Sequence, residues 1–419
     1  DLKNFFLRWY GPNNAILTIA GDVKSDEVLP LVQKYFGSIK RGAEVRKLRS
    51  WVPILPSDVY SEYTDNVYLP LTDMVFPTVP NYHKDEAPLD MLAALMGKGK
   101  KSIFYKNFVK SEKAIQANVG HPCRELSGEF HFTVLTFPDW QEEQDIYFNN
   151  IEADIRNTIT EWEEKNFTDE DLEMVKTEMI SQSFDMKTSI STKASMISSW
   201  EWKGRGKHNV STEINRYKNV TRADVMRVFK RYIKDDKGFK NCVINQVKAK
   251  SPFVKKLDTL ISRNPNANLI LKEDPQYDNL IYNKSKSEFD VCCRHSQPEA
   301  TAPKTPKIPE FHKEIFKNGL KTIFSQTKEV PKVYIRLKIN GGSLFEDSKK
   351  SGLSDLTAQM MNESTQKRSS EDISVELQKL GSTVSFSSED DMTVLLIECL
   401  SANYSKTLDL VEEKLLFPA

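Results

Sequence analysis

Histidine spacing is the first test of whether this sequence of 419 residues can hold a catalytic metal. An HxxEH zinc peptidase places two histidines one helical turn apart, with a glutamate beside the metal-bound water as general base. No pair of histidines in the chain has that spacing; they are His83, His121, His131, His208, His295 and His312. We therefore predict no metal ligand and no catalytic residue in this chain.

The segment from His121 to His131 is the nearest approach to a ligand cluster, because Glu125 and Glu129 lie between the two histidines. Its residues are typical of a loop and a strand, so no helix face gathers the four side chains. A chance surface grouping is favoured over a zinc site. Ser/His/Asp and Cys/His arrangements stay open, although the GxSxG pattern of a nucleophile elbow does not occur.

The cysteines offer no disulfide framework, because they are scattered and odd in number. They are Cys123, Cys242, Cys292, Cys293 and Cys399. Free cysteines in apolar runs are usually buried and unreactive, so a structural role is predicted for all of them.

Residues 97–102 (GKGKKS) superficially suggest a phosphate-binding loop. The pattern GxxxxGK[ST] is not met, and a helix rather than a strand precedes the segment. A glycine that ends a helix, followed by lysines near the negative end of the helix dipole, accounts for every residue. A helix terminus is therefore predicted.

Composition excludes several classes of partner. Lys+Arg and Asp+Glu balance at 59 each, so no overall field attracts nucleic acid or an anionic membrane. No apolar run reaches the length of a membrane-spanning helix. The opening residues, DLKNFF, lack the features of a signal peptide and read as the middle of an amphipathic helix, so we expect a fragment or a processed product.

Turn and cap signals predict an α+β fold. A helix tail, a turn at 11–14, an apolar strand at 15–20 and a helix beginning at Ser25 read as the end of one domain. Capping patterns at Thr168 and Thr221, with alternating strands before and after them, indicate a second domain. The four predicted parts are 1–56 as the C-terminal part of a first domain, 57–250 as a complete second domain, 251–307 as a linker between halves, and 308–419 as the N-terminal part of a third domain, which opens with a hairpin at Asn318-Gly319.

Three motifs resemble the pitrilysin/insulinase family of zinc metallopeptidases, the inverzincins. Residues 6–23 (FLRWYGPNNAILTIAGDV) are similar to the Y-x-P-N-N…GD segment that closes the family's zinc-binding domain. Residues 95–109 (LMGKGKKSIFYKNFV) are similar to the L-G-x-G-x-x-S-x-L-Y stretch of its second domain, and residues 341–346 (GGSLFE) to a turn of its third domain. The resemblance covers the chain except the linker.

The most informative comparison is the helix at 352–365 (GLSDLTAQMMNEST), which resembles the family's G-L-A-H-F-L-E-H-M-x-F-x-G-T. Asp355 and Gln359 stand at the histidine positions of HxxEH, and Ala358 stands at the general-base glutamate. Alanine cannot accept a proton from water, and glutamine is a poor zinc ligand. By this resemblance the third domain is an inactive copy, and these three positions are degenerate.

The resemblance implies repeated domains, each a mixed sheet with helices packed on it, as in mitochondrial processing peptidase. It implies a parent zinc metalloendopeptidase that encloses peptide or unfolded protein between two halves, with its zinc outside this segment. We expect the segment to be inactive and without a cofactor, and to form chamber wall and a tether between the halves. Its expected partners are peptide substrates and the missing catalytic domain or a second chain, with no nucleic acid and no membrane. A periplasmic parent is suggested by the related bacterial enzymes.

Two alternatives remain: a non-enzymatic scaffold or core subunit of the same fold, and an isolated peptide-binding module. An HxxEH motif in the upstream coding sequence separates the peptidase from the scaffold, whereas peptide affinity without cleavage indicates the binding module. Residues 1–56 and 308–419 are also predicted to complement one another in one sheet, within a chain or between two chains, because neither piece alone satisfies its strand edges.

Overall fold

A computed structural model of the chain describes residues 2–46, 48–137, 144–185, 189–204, 210–249, 261–262 and 310–419. The helices are α1 Leu2–Trp9, α2 Ser25–Phe36, α3 Glu86–Gly97, α4 Gln144–Lys165, α5 Asp169–Asp185, α6 Ile190–Gly204, α7 Val210–Lys218, α8 Arg222–Tyr232, α9 Leu353–Asn362, α10 Ser370–Leu380 and α11 Tyr404–Leu416, with a π-helix at Tyr105–Lys110. The strands are β1 Val59–Asp65, β2 Leu71–Thr78, β3 Ala114–Gly120, β4 Gly128–Thr136, β5 Lys234–Asp235, β6 Gly238–Phe239, β7 Val243–Ala249, β8 Ile261–Ser262, β9 His312–Ile315, β10 Lys321–Phe324, β11 Lys332–Asn340, β12 Thr383–Ser388 and β13 Met392–Leu400.

The chain divides into two compact units. The first contains residues 1–47, 186–202 and 271–330, and the second contains residues 48–185, 203–270 and 331–419. Within the described ranges, no helix combines the length and apolar character that a bilayer span requires.

The larger sheet of the second unit has the strand order β3-β4-β2-β7-β1-β8. Its strands pair antiparallel except β1 and β7, which run parallel with Val59 opposite Val243. Every second residue of β2 and β4 is buried, so one face of the sheet forms the core. Phe76 and Phe130 each pack against Phe132 there, with ring centroids 5.9 and 5.2 Å apart.

Helices α3 and α8 cover this face. Helix α3 is apolar nearly all round and is enclosed, as such helices are. Asp85, just before α3, is fully buried and accepts hydrogen bonds from Arg227 (2.7 Å) and from the Tyr232 hydroxyl (2.8 Å) of α8. Burial raises the pKa of Asp85, but these hydrogen bonds outweigh it and lower the pKa overall. The ionised carboxylate thus holds the two helices together. We call this buried assembly the large core.

A second, smaller core belongs to the same unit. Strands β11, β13 and β12 form a three-stranded antiparallel sheet in that order, and α9, α10 and α11 accompany it. The buried residues that meet are Ala358, Val384, Phe386, Leu395, Ile397 and Val411. We call this cluster the small core. One mixed sheet and one antiparallel sheet, each with helices packed on it, confirm the predicted α+β fold, although the small sheet is not mixed as was expected of each domain.

The first unit contains α1, α2, most of α6 and the hairpin β9–β10. The predicted hairpin at Asn318-Gly319 is confirmed: β9 and β10 pair antiparallel, and Gly319 takes a φ of 87° that favours glycine. Ser198 Oγ donates to Thr18 Oγ1 at 2.8 Å, and Lys193 pairs with Glu329 at 2.9 Å.

The predicted strand at 15–20 is wrong. Ile16, Leu17 and Ile19 are 38%, 53% and 46% exposed, and the segment pairs with no strand in the part of the chain that is described. A strand is stable only beside a partner, and this apolar run has none there. The complementation of 1–56 with 308–419 stays a prediction.

Other predicted elements fall close to their observed positions. The capping patterns at Thr168 and Thr221 are confirmed, since each threonine exchanges hydrogen bonds with the aspartate three residues later. Strands β1 and β3 and helices α6 and α7 were not predicted. The predicted linker lies outside the described residues except for 261–262, whose backbone pairs with β1 as β8.

Candidate functional site

Helix α9 contains the three positions that are predicted to be degenerate, and its start is fixed by Glu346. The Glu346 carboxylate accepts hydrogen bonds from the backbone N–H of Gly352 (2.7 Å), the N–H of Ser354 (2.6 Å) and the Ser354 hydroxyl. Hydrogen bonds from Ser354, followed by that from Gly352, lower the pKa of Glu346. Gly352 has a φ of 94°, a conformation that favours glycine. The GGSLFE turn is therefore a cap for α9.

The side chains at the three positions do not form a zinc site. Asp355 and Gln359 lie on the exposed side of α9, one helical turn apart. Ala358 is 2% exposed and packs in the small core. One carboxylate, one amide and one methyl group do not match the nitrogen, sulfur and carboxylate ligands of zinc. The residues at this helix do not fit the metal that the family resemblance implies.

Lys414 fixes the other end of α9. Its ammonium group donates to the carbonyl oxygens of Met361 (3.1 Å), Asn362 (3.1 Å) and Glu363 (3.0 Å), and the side chain is 3% exposed. These carbonyls close a helix end, where backbone acceptors lack intrahelical partners. Burial lowers the pKa of Lys414. Helix α9 is thus anchored at both termini by charged side chains.

His121 belongs to a buried polar group rather than to a surface grouping, so that prediction is wrong for this residue. Nδ1 lies 2.7 Å from Asp90 Oδ1 and Nε2 lies 3.0 Å from Thr78 Oγ1. A carboxylate accepts, so in the neutral imidazole Nδ1 donates to Asp90 and Nε2 accepts from the Thr78 hydroxyl. The Cys123 sulfur is 3.5 Å from Nε2.

The distances from Thr78 to His121 and from His121 to Asp90 are those of a catalytic nucleophile, base and orienting carboxylate. The sequence alone had left such an arrangement open. Thr78 is fully buried and the His121 side chain is 1% exposed, so a substrate carbonyl cannot reach the hydroxyl. The Cys123 thiol donates to the carbonyl of Val79, and burial raises its pKa far above neutrality. A protonated thiol is not a nucleophile. The group is a satisfied polar element of the core.

His131 makes its hydrogen bonds with other residues than His121 does. Its Nδ1 is 3.0 Å from Asp73 and its Nε2 is 3.2 Å from Glu129. The hydrogen bond with Asp73 is the main cause of a raised pKa at His131. In the described part of the chain no three His, Cys, Asp or Glu side chains gather as metal ligands. His208 and His295 lie outside that part.

The described cysteines are free thiols. Cys242 and Cys399 are fully buried, and burial raises the pKa of each. Cys292 and Cys293 lie outside the described residues.

The lysines of residues 97–102 have a role that the sequence did not indicate. The predicted helix terminus is confirmed, since α3 ends at Gly97. Lys98 pairs with Glu178 of α5 at 3.0 Å, whereas Lys100 and Lys101 face acidic side chains of the small-core region, and further pairs join the same two regions. The pairs are Lys100 with Glu363, Lys101 with Asp372, Lys110 with Glu371, Lys332 with Asp185, and Lys379 with Glu170. We call this set the ionic interface.

Two further contacts belong to this interface. Ser181 Oγ of α5 donates to the carbonyl of Gly381 at 2.9 Å in a buried position. Gly99 has a φ of 80°, and a side chain at this position would meet the amide of Gln378. Ion pairs and hydrogen bonds therefore contribute to the contact between the large and small cores. Charge runs visible in the sequence hinted at such pairs, but partners 147 to 271 residues apart cannot be matched from spacing alone.

Two family models match the chain. Residues 1–179 match "Peptidase M16 inactive domain" and residues 321–419 match "Insulinase (Peptidase family M16)". Zinc protease PqqE of Helicobacter pylori (strain ATCC 700392 / 26695) is 29% identical over 124 residues, which are 29% of this chain and 28% of that protein. The chain thus spans little more than a quarter of this relative's length.

Similar solved structures include a protease from Helicobacter pylori, with a TM-score of 0.49 and 22% identity over 59% of this chain and 58% of that one. The periplasmic protease PqqL from Escherichia coli has a TM-score of 0.45 and 16% identity over 100% of this chain and 46% of that one. The family assignment rests on the two sequence models. Because both describe one peptidase family, the chain belongs to peptidase family M16, the pitrilysin/insulinase family.

Proposed function

We propose that this chain is a non-catalytic segment of a zinc-dependent metalloendopeptidase, in which it forms chamber wall and a tether between two halves. The observation that carries the proposal is Ala358. By its resemblance to the family motif it corresponds to the general-base glutamate, and its methyl group lies in the small core. The methyl group of an alanine cannot take a proton from a water molecule.

The neighbouring positions support the same conclusion. A zinc peptidase needs ligands that orient the metal and lower the pKa of its water. Asp355 supplies one carboxylate and Gln359 supplies a neutral amide, so the pair lacks the imidazole nitrogens that zinc prefers. The helix keeps its apolar side and its two anchored ends while its exposed side has lost the chemistry.

The ionic interface supports the tether. It joins the large core, within the proposed second domain 57–250, to the small core, within the proposed third domain 308–419. Residues 251–307 are the proposed linker between these domains, and residues 1–56 are proposed as the end of a first domain. Ion pairs and hydrogen bonds between two separate cores are suited to a domain contact that can both form and separate.

Zinc, substrate and partner are assigned to the parent protein. The relative PqqE is named a zinc protease, which supports a zinc-dependent parent. The proposed substrates are peptides or unfolded protein, and the proposed partner is the catalytic domain of the same protein or a second chain. A periplasmic location of the parent is part of the proposal and is tested by fractionation of cells.

The test is zinc analysis and peptide cleavage on the full 419-residue chain beside the full-length gene product. We expect the chain to contain less than about 0.1 zinc per molecule and to leave a quenched fluorescent peptide library intact, since it lacks a ligand set. The full-length product is expected to bind zinc and to cleave the library in a chelator-sensitive way. Stoichiometric zinc with turnover in the chain alone overturns the proposal, and a full-length product without zinc or cleavage favours the scaffold alternative.

A further inference from the structure

A cavity lies where the last turns of α3 and α4, the π-helix and the first turns of α5 meet. Its volume is about 240 Å³, and Gln378 of α10 closes one side of it. The residues that line it belong to the second unit. An apolar cavity of about 150 Å³ accepts a benzene ring, so this one has room for a ligand of roughly ten non-hydrogen atoms.

Apolar side chains form much of the cavity wall. Trp162 and Phe167 stack with their ring centroids 5.8 Å apart, and each is 5% exposed. Leu95, Ile103 and Met174 also line the cavity and are only half-buried. Covering this apolar surface is favourable, so the wall suits a ligand with an apolar body.

The charged side chains of the wall are engaged with partners, with one exception. Lysines are in excess there, since four of them line the cavity with one glutamate and one aspartate. The engaged groups are Lys98 with Glu178, Lys101 with Asp372, Lys165 with Glu161, and Asp171 with Thr168.

The exception is Lys106, an exposed residue of the π-helix. Its ammonium group makes no ion pair or hydrogen bond with any residue that the structure describes. Lys106 helps to lower the pKa of Glu161 from beyond ion-pair distance, but hydrogen bonds from Lys165 and then from Asn107 are the main causes. Both carboxylate oxygens of Glu161 are already engaged by these two residues. The wall therefore offers one cation without a counter-ion.

We propose that this cavity binds a small carboxylate with an apolar body, whose charged group pairs with Lys106. A cationic ligand would meet an excess of lysines. A polyphosphate would need several free cations, of which the described part of the wall offers one. The apolar body would lie against the wall formed by Leu95, Ile103 and Met174, and the volume limits it to about one ring. This proposal does not depend on the proposed function.

The test uses three probes on the full chain, titrated by ligand-observed NMR. Phenylacetate has both a ring and a charge, phenylacetamide has the same number of non-hydrogen atoms without the charge, and acetate has the charge without the ring. Lys106→Gln removes the free cation at an exposed position, so the fold should be kept. Lys84→Gln is the matched control, because Lys84 is also exposed and does not line the cavity.

We expect phenylacetate to bind the unsubstituted chain with a Kd of about 1 mM or below, as a good ligand of this size can. It should bind about fivefold more tightly than phenylacetamide, since an exposed ion pair contributes modestly, and added salt should remove this preference. Acetate should bind at least about tenfold more weakly than phenylacetate, because it covers little of the apolar wall.

Lys106→Gln should bind the acid and the amide equally and keep its affinity for the amide, whereas Lys84→Gln should keep the preference for the acid. Phenylacetate should also slow amide hydrogen exchange at residues 102–107 and 161–167 of the unsubstituted chain. A preference for the acid that survives Lys106→Gln overturns the proposal. So does equal affinity of the unsubstituted chain for acid and amide, protection confined to other residues, or no binding of either probe up to about 10 mM.

Discussion

Lys101 Nζ lies 2.9 Å from Asp372 Oδ1, and this pair joins the loop after α3 to the first turn of α10. Hydrogen bonds from Ser369 and then from Lys101 lower the pKa of Asp372, so its carboxylate is ionised at neutral pH. Asp372 is also near the positive end of the α10 dipole. The pair belongs to the ionic interface, in which some contacts are exposed, as here, and others are part-buried, as between Lys332 and Asp185.

Reversing the lysine charges should loosen the contact between the two cores. In Lys100→Glu/Lys101→Glu/Lys110→Glu, like charges face Glu363, Glu371 and Asp372, and we expect amide hydrogen exchange in α10 to rise about fivefold. Added salt should raise exchange in the unsubstituted chain and lower it in the variant, because screening weakens attraction and repulsion alike.

The control for this charge change is Lys84→Glu, an exposed lysine outside the interface. A second variant that also changes Glu363, Glu371 and Asp372 to lysine should restore slow exchange. The interface assignment fails if the restored protein exchanges as fast as the reversed one.

Lys414→Met should destabilise the small core. Methionine has a similar length and no donor, so three helix-end carbonyls lose their partner, and each unsatisfied buried acceptor costs about 1 kcal/mol or more. We expect a loss of about 2–4 kcal/mol in the free energy of unfolding, measured in urea. Lys406→Met, at an exposed position of the same helix, is the matched control and should change stability by less than about 0.5 kcal/mol. Equal effects of the two substitutions contradict a capping role.

Ala358→Glu should not restore a catalytic base. The carboxylate would enter the small core, where the alanine is 2% exposed, and burying an unpaired charge should lower the free energy of unfolding by about 3 kcal/mol or more. Gln359→Glu adds the same charge at the adjacent exposed position and should be nearly neutral. Thermal unfolding distinguishes the two, and a stable Ala358→Glu protein would show that the helix turns a different side to the sheet.

The exposed side of α9 can be tested by building part of a metal site. Asp355→His/Gln359→His places two imidazoles one helical turn apart, which should bind zinc. Zinc at about a hundred times its Kd should then stabilise the variant by about 2.7 kcal/mol. Asp355→His alone should show a much smaller shift in melting temperature. No difference between these variants would mean that positions 355 and 359 do not share an accessible side.

His131 gives the stability of the chain a pH dependence of definite sign. Its pKa is raised above 6.5 by Asp73 first and Glu129 next, so the folded state favours the protonated imidazole. This contribution is complete below the unfolded pKa and is lost as pH rises through the folded pKa. The difference in unfolding free energy between the chain and His131→Gln should therefore shrink as pH rises from about 6 to 8.

His83→Gln is the control of opposite sign. Burial is the main cause of a lowered pKa at His83, so its contribution is present above the unfolded pKa and is lost on acidification. The difference between the chain and this variant should grow with pH over the same range. Parallel pH profiles for the two variants contradict these assignments.

Local signals predicted much of the fold. The boxes at Thr168 and Thr221 and the hairpin at Asn318-Gly319 depend on residues within a few positions of one another, and the structure confirms them. The run at 15–20 has the composition of a strand, but a strand also needs a neighbour, which local sequence does not specify. Helix α6 (ISTKASMISSWEWKG) was not predicted because its serines and threonines interrupt the apolar pattern.

In the candidate site, too, features that depend on nearby residues were predicted and contacts between distant residues were not. The prediction of degenerate positions on α9 came from comparison with a family motif. The pairing of Lys101 with Asp372 was not found, because it joins distant parts of the chain. Burial also decided the interpretation of His121, whose neighbours in space are Asp90 and Thr78 rather than the nearby Glu125 or Glu129.

The group formed by Thr78, His121 and Asp90 has a practical consequence for assigning enzymes by shape. A search that compares only interatomic separations with those of hydrolases would accept this trio as a match. The trio differs from a catalytic triad in its burial, because Thr78 is fully buried and its hydroxyl is not accessible to solvent. Template methods applied to this family should therefore score access to the attacking atom before they score its distance to the base.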